Sequence, residues 1–181
     1  DRLVPEHKYP VVMAFHGAGG EAGEYVTFFR DVVAQGYFVG IYPQGLLNLW
    51  KVGGEPIEID DVAFVEKIIQ ELDNYTQLDP SKRYAVGYSN GAGAVHLLSG
   101  RSNFFSKSVA FATQLIRGNE PLEGSSPVSI LQFSGMRDPV IPYNGGKVEV
   151  RGVLVGDFYP AEQSAAIWAK HNGCEDPPVI R

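Results

Sequence analysis

The stretch Arg83–Leu98, RYAVGYSNGAGAVHLL, decides how the rest of the chain is read. It opens as a short apolar run, breaks at Gly87-Tyr88-Ser89-Asn90-Gly91, and continues as a small-residue segment with helical character. A G-x-S-x-G sequence between a strand and a helix makes a sharp turn: its glycines let strand and helix approach, and the serine hydroxyl is left at the edge of the sheet. Serine is a weak nucleophile at pH 7 and needs a neighbouring base. The same residues also suit an ordinary strand-to-helix turn with Ser89 as helix N-cap.

Working outward, the runs Val11–Phe15, Tyr37–Tyr42, Tyr84–Gly87 and Ile130–Phe133 are continuously apolar, as in a parallel sheet covered on both faces. Helical spacing lies between them. In Glu24–Ala34 the residues Tyr25, Phe28, Phe29, Val32 and Val33 share one stripe, and in Asp61–Leu72 so do Val62, Val65, Ile68, Ile69 and Leu72. A third helix follows Ser89, and a fourth runs from Ala161 to about Lys170, between Pro160 and Asn172-Gly173. Alternation of strand and helix predicts a three-layer α/β sandwich with a mostly parallel central sheet and right-handed crossovers. With 181 residues, 44% of them hydrophobic, the chain holds enough apolar material for one sizeable core, so residues 1–181 read as a single domain.

Charge narrows the partners. Fifteen Lys+Arg against 21 Asp+Glu give a formal net charge of −6, and there is no basic run to track phosphates, so neither nucleic acid nor a membrane surface is expected. No stretch of about 18 apolar residues occurs, and the N-terminal residues lack the basic-then-apolar layout of a signal peptide. No His/Asp/Glu cluster has ligand spacing, so neither metal nor organic cofactor is expected.

Ligands of parallel sheets bind at the carboxyl ends of the strands, which directs attention to the residues after each run. His16-Gly17-Ala18-Gly19-Gly20 has the look of a loop that offers a backbone N–H to an oxyanion, with Ala18 and Asn90 as the two donors. Turn glycines or a phosphate loop are the competing readings, but neither G-x-x-x-x-G-K-[ST] nor G-x-G-x-x-G is present. His16 itself reads as a loop anchor. Asp138, after Ile130–Phe133, stands in the chain order serine then acid, while Asp138-Pro139 also reads as a turn. Asp60-Asp61 suits a helix N-cap and first turn. Trp50, in a Gly/Asn-rich loop, fits a cleft wall or a local hydrophobic plug equally.

Six motifs occur in order: His16-Gly17-Ala18-Gly19-Gly20, Asn48-Leu49-Trp50, Asp60-Asp61-Val62, Gly87–Gly91, Asp138–Gly146, and Trp168-Ala169 with Asn172-Gly173-Cys174. Together they resemble the polyhydroxybutyrate depolymerase and feruloyl esterase family, over about Tyr9 to Cys174. The resemblance implies an α/β-hydrolase fold and a secreted serine esterase. It makes Ser89 the nucleophile, Asp138 the triad acid and Trp50 a wall of the substrate cleft. The substrates it implies are feruloyl or acetyl esters of plant polysaccharide, with short-chain polyesters second.

The family's histidine comes from a G-H-x-W-P loop that these residues do not contain, and His171, at a helix end, is a weak candidate for the base. His96, inside a helix, and His7 are equally misplaced. The expectation is a fold incomplete at both ends, with the base elsewhere; a catalytically inactive relative is the main rival, and a serine peptidase of the same fold another. By the same resemblance Cys174 pairs with a downstream cysteine, as in extracellular proteins.

Overall fold

Five parallel strands, in the order β2-β1-β3-β4-β5, form the central sheet of the computed structural model, which describes residue 4 and residues 6–55 and 57–175. The elements follow one another as β1 (Tyr9–Phe15), α1 (Ala22–Ala34), β2 (Val39–Ile41), α2 (Asp61–Leu72), β3 (Leu78–Tyr88), α3 (Asn90–Arg101), β4 (Lys107–Phe111) and β5 (Ser129–Phe133). An antiparallel hairpin, β6 (Gly146–Val150) and β7 (Val153–Phe158), then leads into α4 (Ala161–His171).

The order of the strands locates the site. From β1 the chain moves through α1 to the β2 edge; from β2 it returns through α2 to β3 and goes on through α3 to β4. Right-handed crossovers in opposite directions put α1 on one face and α2 and α3 on the other. The reversal falls between neighbouring β1 and β3, and it opens a crevice at their carboxyl ends.

The core lies under α2 and α3. Val65 and Ile69 of α2 and Val95 and Leu98 of α3 are buried together with Met13, Phe15 and Ala85 of the sheet. Asp60 caps α2, its side chain accepting from the Ala63 N–H at 2.9 Å. Helix α4 is held by polar contacts to α3 and to β5: the Trp168 indole N–H donates to His96 Nδ1 of α3 at 3.0 Å, and the Ser164 hydroxyl donates to Gln132 Oε1 of β5 at 2.7 Å.

Four sequence expectations are corrected here. Lys107–Phe111 is an unforeseen strand, so Ile130–Phe133 belongs to the fifth strand and not the fourth. Its inward Ser108, bonded at 2.8 Å to Ser99, interrupts the apolar run that marks a strand. The sheet is not covered on both faces, since Leu131 and Phe133 of β5 are 54% and 47% exposed. Only part of the α1 stripe is used: Tyr25, Phe29 and Val33 are half-buried, while Phe28 is 78% exposed. The β6–β7 hairpin was also unforeseen. It turns on Arg151-Gly152, both at positive φ (52° and 79°), without the Asn-Gly pair that usually announces such a turn.

Candidate active site

Ser89 stands where β3 becomes α3, with φ 53° and ψ −121°, a conformation that residues with a Cβ rarely adopt. The surroundings hold it there. Its N–H donates to the Phe111 carbonyl at 2.9 Å, and its carbonyl accepts from the Thr113 hydroxyl at 2.8 Å and from the Ala92 and Gly93 amides at 2.8 and 3.1 Å. Its hydroxyl makes no capping hydrogen bond to α3, so the side chain is not used as an N-cap. The flanking glycines are sterically required: a Cβ on Gly87 would strike the Gly91 carbonyl, and one on Gly91 the carbonyls of Phe15 and His16.

Ala18, Ser89 and Asn90 line one cavity of about 150 Å³. Leu49, Val52, Ile116, Ile141, Val155 and Phe158 contribute to walls that are mostly apolar. Among the described residues the backbone amides of Ala18 and Asn90 have no hydrogen-bond partner, whereas the neighbouring Gly19 and Gly20 amides donate to Asn48 and Gly17 carbonyls.

Asp138 follows β5 and lines an adjoining opening with Tyr88, Phe111 and Gly135. Its Oδ1 accepts from the Val140 and Ile141 amides at 2.8 and 2.9 Å, so it also makes the turn that the Asp-Pro pair suggested. Val140 and Ile141 in turn line the cavity at Ser89. The Oδ2 of Asp138 has no hydrogen-bond partner among the described residues.

Each histidine is engaged elsewhere. His16 is buried; its Nδ1 donates to the Gly17 carbonyl at 2.8 Å and its Nε2 accepts from the Gly45 amide at 3.0 Å, the loop anchor expected of it. His96 donates from Nε2 to the Thr113 carbonyl at 3.3 Å and accepts at Nδ1 from Trp168. Burial lowers its pKa to about 4, against the raising effect of the Thr113 bond, so it is neutral at pH 7. His171 lies 3.2 Å from the Ser126 carbonyl, and His7 packs against Tyr9.

Trp50 is corrected. Its side chain is fully buried, donates from Nε1 to the His16 carbonyl at 2.9 Å and meets Phe15 edge-on, so it plugs the core beneath the cleft and is no part of its wall. Sequence reasoning missed Glu55, a buried carboxylate that lines the cavity of Ser89. Asp61 is buried too, its Oδ2 accepting from the Lys51 amide at 2.6 Å. Desolvation raises its pKa, and that same hydrogen bond opposes the rise.

A parallel sheet with its crevice at the β1/β3 reversal and a strained serine at the strand-to-helix turn defines an α/β-hydrolase fold. A phospholipase/carboxylesterase from Dyadobacter fermentans has a crystal structure that superposes with a TM-score of 0.67 over 93% of this chain and 79% of its own, at 20% identity. The chain is homologous to feruloyl esterases, as its ordered motifs imply. Feruloyl esterase B of Piromyces equi is 31% identical over 93% of this chain and 33% of its own length; feruloyl esterase C of Emericella nidulans is 28% identical over 81% and 55%. The chain thus spans between a third and little more than half of these relatives. No family model matches it.

Proposed function

We propose that the protein is a carboxylic ester hydrolase that works through an acyl-enzyme on Ser89. The observation that carries this reading is Ser89 itself: strained, its hydroxyl not capping α3, at one cavity with the amides of Ala18 and Asn90, which have no partner among the described residues. Ser89 Oγ attacks the ester carbonyl carbon while a base takes its proton, and the carbonyl oxygen becomes an oxyanion held by the Ala18 and Asn90 N–H groups. Collapse breaks the bond to the alcohol, which leaves with that proton; water then repeats the sequence and releases the acid. Asp138, whose Oδ2 has no partner among the described residues, is the acceptor that would orient a histidine base. The reading requires such a histidine, and a reactive Ser89 would be its signature.

The mostly apolar cavity suits an uncharged acyl group. With feruloyl esterases as relatives, feruloyl or acetyl esters of plant polysaccharide are the first substrate class and short-chain polyesters the second. Secretion belongs to this reading, and the exposed thiol of Cys174 is open to pairing. Among the described residues no helix is long and apolar enough to cross a membrane.

A fluorophosphonate probe tests the mechanism. Stoichiometric labelling, abolished in Ser89→Ala with the melting temperature nearly unchanged, is the expected result. The four histidines held elsewhere favour one second reading, a binding module that keeps the cleft without the chemistry; a folded, unlabelled protein would establish it and overturn the esterase. Release of p-nitrophenol from short acyl esters, without cleavage of peptide anilides, separates esterase from peptidase.

A further inference from the structure

We propose that Glu55 is a positioning residue that sets the spacing of the two oxyanion donors by holding Asn90; the inference rests on the esterase reading above. The donors belong to different loops. Phe15 pairs with Gly87 in the β1/β3 ladder, but Ala18 and Asn90 lie beyond those partners, where no ladder fixes their separation. The segment from Gly45 to Glu55 is bonded to both loops. On the Ala18 side, the Asn48 carbonyl accepts from the Gly19 amide at 2.8 Å, and the Gly45 amide donates to His16 Nε2 at 3.0 Å. On the other, the Asn90 side chain pairs with the backbone of Trp50, accepting from its N–H at 2.8 Å and donating to its carbonyl at 3.0 Å.

Glu55 closes this segment. Its Oε2 accepts from the amides of Val52 and Gly53 at 3.0 and 2.6 Å, and its Oε1 accepts from Asn90 Nδ2 at 3.0 Å. At 5% exposure the carboxylate exchanges water for these donors, and it sits at Asn90, the first residue of α3, where the positive end of the helix favours an anion. A carboxylate engaged by three N–H groups is a fixed acceptor, not a free base. Glutamine in its place has one oxygen for the three donors, and its own amide group faces either Asn90 Nδ2 or the Val52 and Gly53 amides. Asn90 then loses its third hydrogen bond or the segment loses its closing acceptor, and in both cases an oxyanion donor is misplaced.

The test is Glu55→Gln in the intact protein, with kcat for a p-nitrophenyl ester normalised to the sites that a fluorophosphonate titrates. Wild-type labelling and turnover first establish the parent reading independently; without them it is the esterase that fails, not this inference. The expected result is a fall of about 10- to 100-fold in kcat per labelled site, with KM within about twofold. A merely structural role lowers the number of labelled sites and leaves kcat per site unchanged, which would overturn the proposal. A rise in KM alone would overturn it too, marking Glu55 as a substrate contact. Should Glu55→Gln not fold, Asn90→Ala cuts the same link and leaves the Glu55 turn closed; wild-type kcat per site in that variant refutes the inference.

Discussion

The face of the sheet under α2 and α3 and the face under α1 share their strands and differ in filling. On the first, Met13, Phe15, Val65, Val95 and Leu98 are fully buried. On the second, Tyr25 and Phe29 of α1 look across a groove at Tyr88, Phe111, Leu131 and Phe133, which remain 38–57% exposed, with Phe111 and Phe133 stacked 4.5 Å apart. Hand and direction explain the difference. One crossover runs toward β2 and brings one helix; those through α2 and α3 run the other way and bring their helices to the opposite face. The reversal that opens the crevice at Ser89 thus also leaves α1 as the one helix that these crossovers bring to that face among the described residues.

The largest expected loss is at Gly91, on the covered face, where α3 meets β1. Gly91→Val drives a side chain into the Phe15 and His16 carbonyls, and the expected loss exceeds about 4 kcal/mol, read as absence of a cooperative denaturation transition. Leu98→Ala, on the covered face, is expected to cost about 2–5 kcal/mol by urea unfolding.

His96 gives a pH-dependent effect on the same face. Its folded pKa of about 4 lies below the ordinary 6.5, so the unfolded chain binds the extra proton between those values. Stability is unaffected above that window and falls as pH drops through it, by roughly 3 kcal/mol at the acid end. His96→Gln should flatten this slope in chemical denaturation at pH 4 to 7; an unchanged slope would assign the acid sensitivity to other groups. The smallest effect belongs to the open face. Leu131→Ala should cost under about 1 kcal/mol, and a loss equal to that of Leu98→Ala would show that the groove is filled in solution.

The legible parts of the fold were those with uniform composition. Val11–Phe15 and Asp61–Leu72 could be read directly because their core-facing positions, the buried Asp61 apart, are apolar. β4 was hidden by Ser108, whose polarity is satisfied by Ser99, a partner that no local pattern reveals. The exposure of Leu131 and Phe133 was illegible for a different reason: an apolar strand reads alike whether or not a helix lies over it. At the candidate site, the sharp turn at Ser89 could be read because glycine spacing encodes backbone geometry. Glu55 could not, because a buried carboxylate is written with the same letter as a solvated one. In the sequence Trp50 fits wall and plug alike, because no local pattern shows that its indole N–H finds the His16 carbonyl.

The backbone of Ser89 bears on how such a protein could change under selection. A position at φ 53° and ψ −121° suits glycine better than serine, so Ser89→Gly relieves strain of order 1–3 kcal/mol while deleting the hydroxyl. Selection for heat resistance alone would drift toward glycine here, and under the proposed function a requirement for turnover would keep the serine.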